Sequence, residues 1–194
     1  MPLINFETKH NAADRRQSDV LIAGSEGGDV VHSYKMAGLE TLMQEMKNNL
    51  CVHFVSDGNW SLYDYLIAAL EDHMGACDVW LTTYSMTELS ARILAKMKDS
   101  GKIANLYVLM DYKSKMRYPQ VDQLVRNVAT RMGLVHIHAK VLIIGNGSVY
   151  RTLIGSANWT KNPRLEVGVI DSSDHVARQH IQWIEKSITN GADS

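Results

Sequence analysis

The chain has 194 residues, of which 45% are hydrophobic, and its 20 basic residues almost balance its 21 acidic residues. A chain of this length can bury one sizeable core, which favours a single main domain. The near-zero net charge argues against a general positive field for nucleic acid, so any such contact must be local.

The location of the protein is predicted from what the sequence does not contain. The first thirty residues lack a basic start followed by an apolar core, so no signal peptide is expected. No apolar stretch reaches about 18 residues, so no transmembrane helix is expected. These features predict a soluble, cytoplasmic protein that does not use a membrane. Cys51 and Cys77 open two strand-like segments and are interpreted as small buried thiols, with a disulfide or metal pair as the alternative.

The predicted elements become regular from residue 51 onward. Residues 1–50 form an N-terminal extension with a loose segment, short strands and one helix, and residues 51–194 form the main domain. Strands alternate there with amphipathic helices, which predicts an α/β fold: a single domain with a central mixed β-sheet flanked by helices on both faces. The predicted strands cover 51–55, 77–84, 103–111, 133–146, 150–157 and 165–171, and the predicted helices cover 62–70, 89–97, 119–128 and 176–188.

Three helix starts carry local signals. Ser61 with Asp64, and Ser85 with Glu88, have the spacing of capping boxes. Pro119 suits the first turn of the helix that follows the third strand of the main domain.

The run "GLVHIHAKVLIIGN", residues 133–146, places His136, His138 and Lys140 at alternate positions. Its Val, Ile and Leu content predicts one continuous strand. Side chains two residues apart on a strand share a face, so the two imidazoles and the ammonium group would lie side by side. A His-x-Lys triplet alone is weak evidence, because a single histidine is usually structural, so its neighbours decide the interpretation.

A second polar group follows in "GSANWT", residues 155–160. Ser156 and Asn158 are again two residues apart, and Glu166 lies in the next predicted strand. If the chain is extended there, the hydroxyl and the amide point the same way.

These residues resemble the signature of the phospholipase D superfamily, which is His-x-Lys, four residues, Asp, and then Gly-Ser-x-Asn. The match is carried by His138, Lys140 and the Gly155 segment, and the wider resemblance extends over roughly residues 51–188. The segment "GSANWTKN" is especially similar to the small bacterial endonucleases of the family, which carry one motif in each chain. The resemblance therefore implies a phospholipase D-like domain that acts on nucleic acid.

The resemblance also assigns roles at the site. It makes His138 the nucleophile that forms a phosphohistidine, with Lys140, Ser156 and Asn158 holding the nonbridging phosphate oxygens. Glu166 would accept a proton from the far ring nitrogen of His138 and fix its tautomer. No cofactor and no metal ion are implied, because the site offers cationic and neutral donors where a magnesium site would offer carboxylates.

A homodimer follows from the number of motifs. The reaction needs one unprotonated imidazole as nucleophile and one protonated imidazole as general acid, and one histidine cannot begin in both states. Members of the family bring two copies of the motif together at a pseudo-twofold axis. Because this chain contains a single His-x-Lys, the resemblance implies that a second chain supplies the other imidazole at a twofold interface.

Position 145 departs from the family signature, and other functions are therefore considered. The family's supporting Asp is Gly145 here, and Asn146 is the nearest residue that could replace its hydrogen bonds. The alternatives to a nuclease are a phospholipase or phosphatidyl transferase, and a degenerate member that binds nucleic acid or a partner without cleaving it.

Several further residues are candidates for substrate contacts. His136 could line the site or belong to a metal-binding pair, and Trp159 could stack on a base or belong to the core. Asn59 follows the first strand of the main domain and could line the cleft or form a plain turn. The basic residues after the third strand of that domain could contact phosphate or form a solvated helix face: Lys113, Lys115 and Arg117.

Overall fold

A computed structural model describes most of the chain, namely residues 18–24, 31–36, 39–48, 51–56, 58, 60–72, 75–161 and 164–191. The strands are β1 (Ser18–Gly24), β2 (Val31–Met36), β3 (Cys51–Ser56), β4 (Cys77–Thr83), β5 (Ile103–Asp111), β6 (Arg131–Val135), β7 (Val141–Gly145), β8 (Tyr150–Gly155) and β9 (Glu166–Asp171). The helices are α1 (Leu39–Asn48), α2 (Leu62–Asp72), α3 (Glu88–Asp99), α4 (Tyr112–Arg117), α5 (Pro119–Val128) and α6 (Asp174–Gly191).

The strands form one mixed sheet in the order β2-β1-β3-β9-β8-β7-β4-β5-β6. β5 pairs in parallel with β4 and with β6, and the remaining neighbours in this order are antiparallel. The two parallel pairs need crossovers, which α3 supplies between β4 and β5, and α4 with α5 between β5 and β6.

Both faces of the sheet are covered by helices, as the sequence predicts. The larger apolar cluster lies under α1, α2, α3 and α5, where the helices contribute buried residues that include Leu42, Leu66, Leu94 and Val125. The smaller cluster lies under α6 and includes Trp80, Ile143, Ile184 and Ile188. The alternating sides of the strands explain this division, since successive residues of β7 belong to opposite clusters.

The prediction of a single strand over residues 133–146 is wrong. β6 ends at Val135 and β7 begins at Val141, so His136, His138 and Lys140 all lie outside strands. The reason is the sheet order, because β6 pairs with β5 whereas β7 pairs with β4 on the far side of β5. The chain must therefore cross the ends of β5 and β4 between the two strands, and residues 136–140 make that crossing.

The helix starts follow the sequence signals at two of three places. In the capping box before α2, Ser61 N and Oγ both donate to Asp64 Oδ2 at 2.8 Å. The second predicted capping box is wrong, because Thr87 caps α3 and its Oγ1 accepts from Ser90 N. Pro119 opens α5, and α4 is an additional short helix that the sequence pattern did not indicate.

The two cysteines are separate thiols. Both are free, and Cys77 is buried at the start of β4. Burial raises the pKa of the Cys77 thiol, with the neighbouring Asp78 charge adding to the effect. A thiol with a raised pKa is a weak nucleophile at neutral pH, which agrees with its interpretation as a core residue.

The described parts of the N-terminal extension join the same sheet and core. β1 pairs with β3, and β2 lies outside β1 at the sheet edge. In α1, Leu42 and Met46 are buried in the larger apolar cluster. The division of the chain at residue 50 stays a prediction about domains.

Candidate active site

The predicted site residues lie at one edge of the sheet. The parallel strands β4, β5 and β6 end there, β7 and β9 begin there, and β8 ends there. Loops at the carboxyl ends of parallel strands commonly carry binding groups, because the strands hold them rigidly while leaving them open to solvent.

The crossing at residues 136–140 is fixed by two buried side chains from the strands beneath it. Asp111, at the end of β5, accepts a hydrogen bond from Ile137 N at 3.0 Å. Thr82, in β4, donates to Ala139 O and accepts from Val141 N, both at 3.0 Å. These bonds satisfy backbone groups on both sides of His138 and Lys140, so the segment has a defined path without belonging to a strand.

His138 and Lys140 contact each other, although they do not share the strand face on which the sequence placed them. Lys140 Nζ lies 3.0 Å from Nδ1 and 3.1 Å from Nε2 of the His138 ring, and it donates to His138 O at 2.6 Å. The lysine is 5% exposed, whereas the imidazole is exposed. In this arrangement a ligand can contact the exposed imidazole, and the buried ammonium group adds positive charge behind the ring.

The charge on Lys140 is held in an unfavourable environment. Burial lowers the pKa of Lys140 below its ordinary value, and the negative charge of Glu166 offsets part of this effect. Desolvation penalises the charged form of a lysine, and an anion nearby stabilises it. A further anion beside Lys140 would favour its charged form in the same way.

Ser156 and Glu166 form a hydrogen-bonded pair across β8 and β9. Ser156 Oγ donates to Glu166 Oε2 and accepts from Val167 N at 3.0 Å. Ser156 N also donates to Val167 O at 2.9 Å, so this residue is tied to β9 at three points. The predicted hydrogen bond from His138 to Glu166 is not made in the described structure, because the imidazole nitrogens lie against Lys140.

Asn158 lies beside a threonine at the end of β4. Thr83 Oγ1 donates its single proton to Ser85 O at 2.7 Å, and it lies 3.4 Å from Asn158 Oδ1. With the amide oxygen facing Thr83, the Nδ2 amine of Asn158 is the group available to donate to a ligand.

Trp159 is a core residue, which corrects the prediction that it could stack on a base. Its side chain is 0% exposed and belongs to the larger apolar cluster. Its backbone forms a bridge with Met86, and its carbonyl accepts from Thr87 N at 3.1 Å and from Ser90 Oγ at 2.7 Å. The buried indole anchors the loop that carries Asn158.

The other substrate candidates lie around the same edge, with one exception. His136 is exposed, and its ring centroid lies 6.1 Å from that of Tyr112. The three basic residues follow β5 on α4 and are exposed: Lys113, Lys115 and Arg117. Asn59 lies outside the described residues.

Gly145, the departure from the family signature, is explained by its neighbour Tyr150. A Cβ atom at position 145 would meet Tyr150 Cδ1 at 2.4 Å, so the ring occupies the space that an Asp side chain would need. Asn146 does not replace the Asp, because its Oδ1 accepts from Ser148 N and Val149 N in the turn. This end of β7 is roughly 16 Å from Lys140 at the usual strand rise.

Sequence reasoning missed four residues that organise the site: Thr82, Thr83, Tyr84 and Asp111. The first two and Asp111 are polar residues near the carboxyl ends of otherwise buried strands, which is the signal that could have found them. The Tyr84 ring lies 5.3 Å from the His138 ring between centroids, and only the structure brings these two residues together.

Solved structures share this architecture at low sequence identity. The chain is similar to NucT from Helicobacter pylori, with a TM-score of 0.52 and 20% identity, over 65% of this chain and 86% of that chain. It is also similar to Nuc from Salmonella typhimurium, a phospholipase D family member, with a TM-score of 0.49 and 13% identity over the same shares. The chain has a phospholipase D-like fold. The predicted relationship to the Nuc-type proteins is thereby confirmed at the level of the fold.

A third solved structure is similar over a smaller share of its own length. Similarity to the polyphosphate kinase from Porphyromonas gingivalis has a TM-score of 0.48 and 12% identity, over 91% of this chain and 31% of that chain. No family model and no curated protein matches this chain.

Two absences concern only the part of the chain that the structure describes. Within it, no helix has the length and apolar character needed to cross a membrane. The same residues contain no group of three or more His, Cys, Asp or Glu side chains placed to hold a metal ion.

The buried charge of Lys140 predicts a stability effect. Lys140→Met removes the desolvation cost while keeping the length of the side chain, so the free energy of unfolding at pH 7 should rise by about 1 kcal/mol. The melting temperature should rise by roughly 2–4 °C. Because the folded lysine has a lowered pKa, its cost is relieved as pH rises toward the free lysine value of about 10.4, and the difference should shrink there.

Urea unfolding at pH 7 and pH 10 measures this effect. Lys96→Met, at an exposed position on α3, is the matched control and should change stability by less than about 0.5 kcal/mol. A Lys140→Met protein less stable than the parent would mean that the ammonium group stabilises the fold.

Proposed function

We propose that this protein is a phosphodiesterase that cleaves nucleic acid, acting as an endonuclease through a phosphohistidine intermediate. The observation that carries the proposal is the contact of the His138 imidazole with Lys140 at the edge where Ser156 and Asn158 also lie. Cleaving a phosphodiester requires a nucleophile, donors for the nonbridging oxygens and an acid for the leaving oxygen. These side chains supply the first two requirements.

The proposed reaction has two steps. First, an unprotonated ring nitrogen of His138 attacks phosphorus, a P–N bond forms, and the leaving oxygen departs with a proton from a second imidazole. Water then gives a proton to that second imidazole and attacks phosphorus, which breaks the P–N bond and restores both imidazoles. One water molecule is consumed for each strand cleaved, and the steps use only groups of the protein and water.

The neighbouring side chains have roles that follow from their contacts. Lys140 lies behind the imidazole and stabilises negative charge on the nonbridging oxygens, and Asn158 adds an amide donor. Ser156 and Glu166 hold the loop beside them through their mutual hydrogen bond. Because hydrogen bonds hold these groups in place, they are already positioned to stabilise the charge that develops in the transition state.

The second imidazole comes from a second copy of the chain. An exposed apolar strip supports this, since Ile154, Val167 and Val169 lie on the α6 face of the sheet where the helix does not cover it. With His53 and Val55 the strip borders a groove of about 550 Å³ that reaches Ser156. Val167 is 55% exposed. An apolar surface that adjoins the reaction centre suits a twofold interface that joins two half-sites.

The substitution at Gly145 gives little support to an inactive, binding-only protein. Gly145 and its partner Tyr150 lie at the far end of β7, and neither contacts the groups proposed for the reaction. The departure therefore changes packing under α6 and leaves the reaction centre as described.

The activity is tested with labelled single-stranded DNA, duplex DNA, RNA and a phospholipid, each incubated with protein in EDTA. We expect cleavage of nucleic acid that persists in EDTA and falls by at least about 1000-fold in His138→Ala, because the nucleophile is lost. His175→Ala removes an exposed histidine at the start of α6 and is the matched control, which should retain activity.

Three results would contradict the proposal. Binding without turnover on every substrate would leave a binding protein, and cleavage of the phospholipid alone would indicate a lipid enzyme. Activity that survives His138→Ala would place the nucleophile elsewhere.

The interface is tested by placing a charge in the apolar strip. Val167→Asp should shift the sedimentation coefficient from that of a dimer to that of a monomer and should abolish cleavage, because a buried unpaired carboxylate opposes association. Val149→Asp makes the same change at an exposed valine in the β7–β8 turn, and it should leave both properties unchanged. A parent protein that sediments as a monomer and still cleaves would exclude the shared site.

A further inference from the structure

The segment that follows β5 exposes aromatic and apolar side chains among positive charges. Tyr112 is 39% exposed, Met116 is 74% exposed and Tyr118 is 50% exposed. Exposed cations alternate with them, and together they form the 112–118 surface: Tyr112, Lys113, Lys115, Met116, Arg117 and Tyr118. Neither the core nor the proposed reaction uses these rings.

The 112–118 surface is tied to the reaction centre at its start. The two carboxylate oxygens of Asp111 accept from Lys113 N at 2.9 Å and from Ile137 N at 3.0 Å. One buried side chain thus fixes both α4 and the segment that carries His138. The Tyr112 ring also lies beside the His136 ring.

The other end of the surface meets the site through Tyr84. Arg117 donates to Tyr84 Oη at 3.5 Å, and the Tyr84 ring packs against the His138 ring. Ser114 Oγ donates to Tyr84 O at 3.0 Å, which holds the middle of α4 to the end of β4. A chain bound along this surface would therefore lead directly to the imidazole.

The charge around the surface favours an anionic ligand. Residues 112–118 contribute three exposed cations, Lys113, Lys115 and Arg117, and the segment itself contains no acidic residue. Phosphate groups are complementary to this positive charge. The aromatic rings between the cations favour a ligand that also has planar groups able to stack on them.

We propose that the 112–118 surface binds single-stranded nucleic acid, with unpaired bases stacked on Tyr112 and Tyr118 and phosphates beside the cations. This inference rests on the proposed function and names the form of its substrate. Every base has a π-face, so stacking on aromatic rings holds single strands of any sequence. In a duplex those faces are occupied by neighbouring base pairs, so a duplex gains only the phosphate contacts.

The binding test uses the full chain with His138→Ala, so that no substrate is consumed. Three fluorescent probes of about 20 nucleotides are compared by anisotropy: a single strand, its duplex and an abasic single strand. Tyr112→Ala with Tyr118→Ala should weaken binding of the single strand by about tenfold or more. The duplex and the abasic strand should be bound as before, and Tyr112→Phe with Tyr118→Phe should retain single-strand affinity within about twofold.

A charge variant separates stacking from electrostatics. Lys113→Gln with Lys115→Gln should weaken all three probes together and reduce the salt dependence of binding, because phosphate contacts carry no information about base stacking. Unchanged abasic-strand binding by the alanine pair also shows that this variant is folded.

The outcomes distinguish this inference from the proposed function. Two binding results for the alanine pair would overturn the inference: an equal loss on all three probes, or no loss on any. An altered sedimentation coefficient would also overturn it, because the rings would then contact another copy of the chain. Turnover of bis(4-nitrophenyl) phosphate by the parent protein, a substrate without bases, tests the reaction centre by itself. Selective loss of single-strand binding in a protein that cleaves nothing would uphold the surface and overturn the nuclease.

Discussion

The crossing of residues 136–140 over the ends of β5 and β4 is the constraint on which the site depends. A segment without strand pairing would ordinarily leave its backbone groups to solvent. Here Asp111 binds Ile137 N, and Thr82 binds both Ala139 O and Val141 N. The backbone that carries His138 and Lys140 is therefore held in place, with the imidazole exposed and the ammonium group buried behind it.

The same edge of the sheet holds groups that lower the stability of the fold. Lys140 keeps its charge in a place where burial lowers its pKa, and exposed apolar side chains surround the site on β9 and on α4. Binding sites often retain such unfavourable features, because a ligand or a partner relieves them. The two apolar clusters on either side of the sheet stabilise the strands that hold these groups in position.

The sequence predicts the fold class, and it singles out residues that the structure brings to one edge of the sheet; its errors have physical causes. The His-x-Lys and Ser-x-Asn spacings, together with the resemblance to the family signature, singled out His138, Lys140, Ser156 and Asn158. The single strand over 133–146 was wrong, since period-two alternation does not reveal that the strand order requires a crossing there. Asp111 and Trp159 depend on partners far along the chain, so only the structure separates a positioning carboxylate from a surface acid, or a core indole from a stacking one.

The central claim is that each chain carries half of a reaction centre completed by a second copy. The most direct measurement mixes parent chains with His138→Ala chains under conditions that exchange subunits, and follows cleavage in EDTA against the fraction of parent chain. A shared site that needs both imidazoles predicts activity proportional to the square of that fraction, so that an equal mixture retains about one quarter. Activity that falls in simple proportion, with about one half remaining, would show that each chain acts alone and would contradict the account.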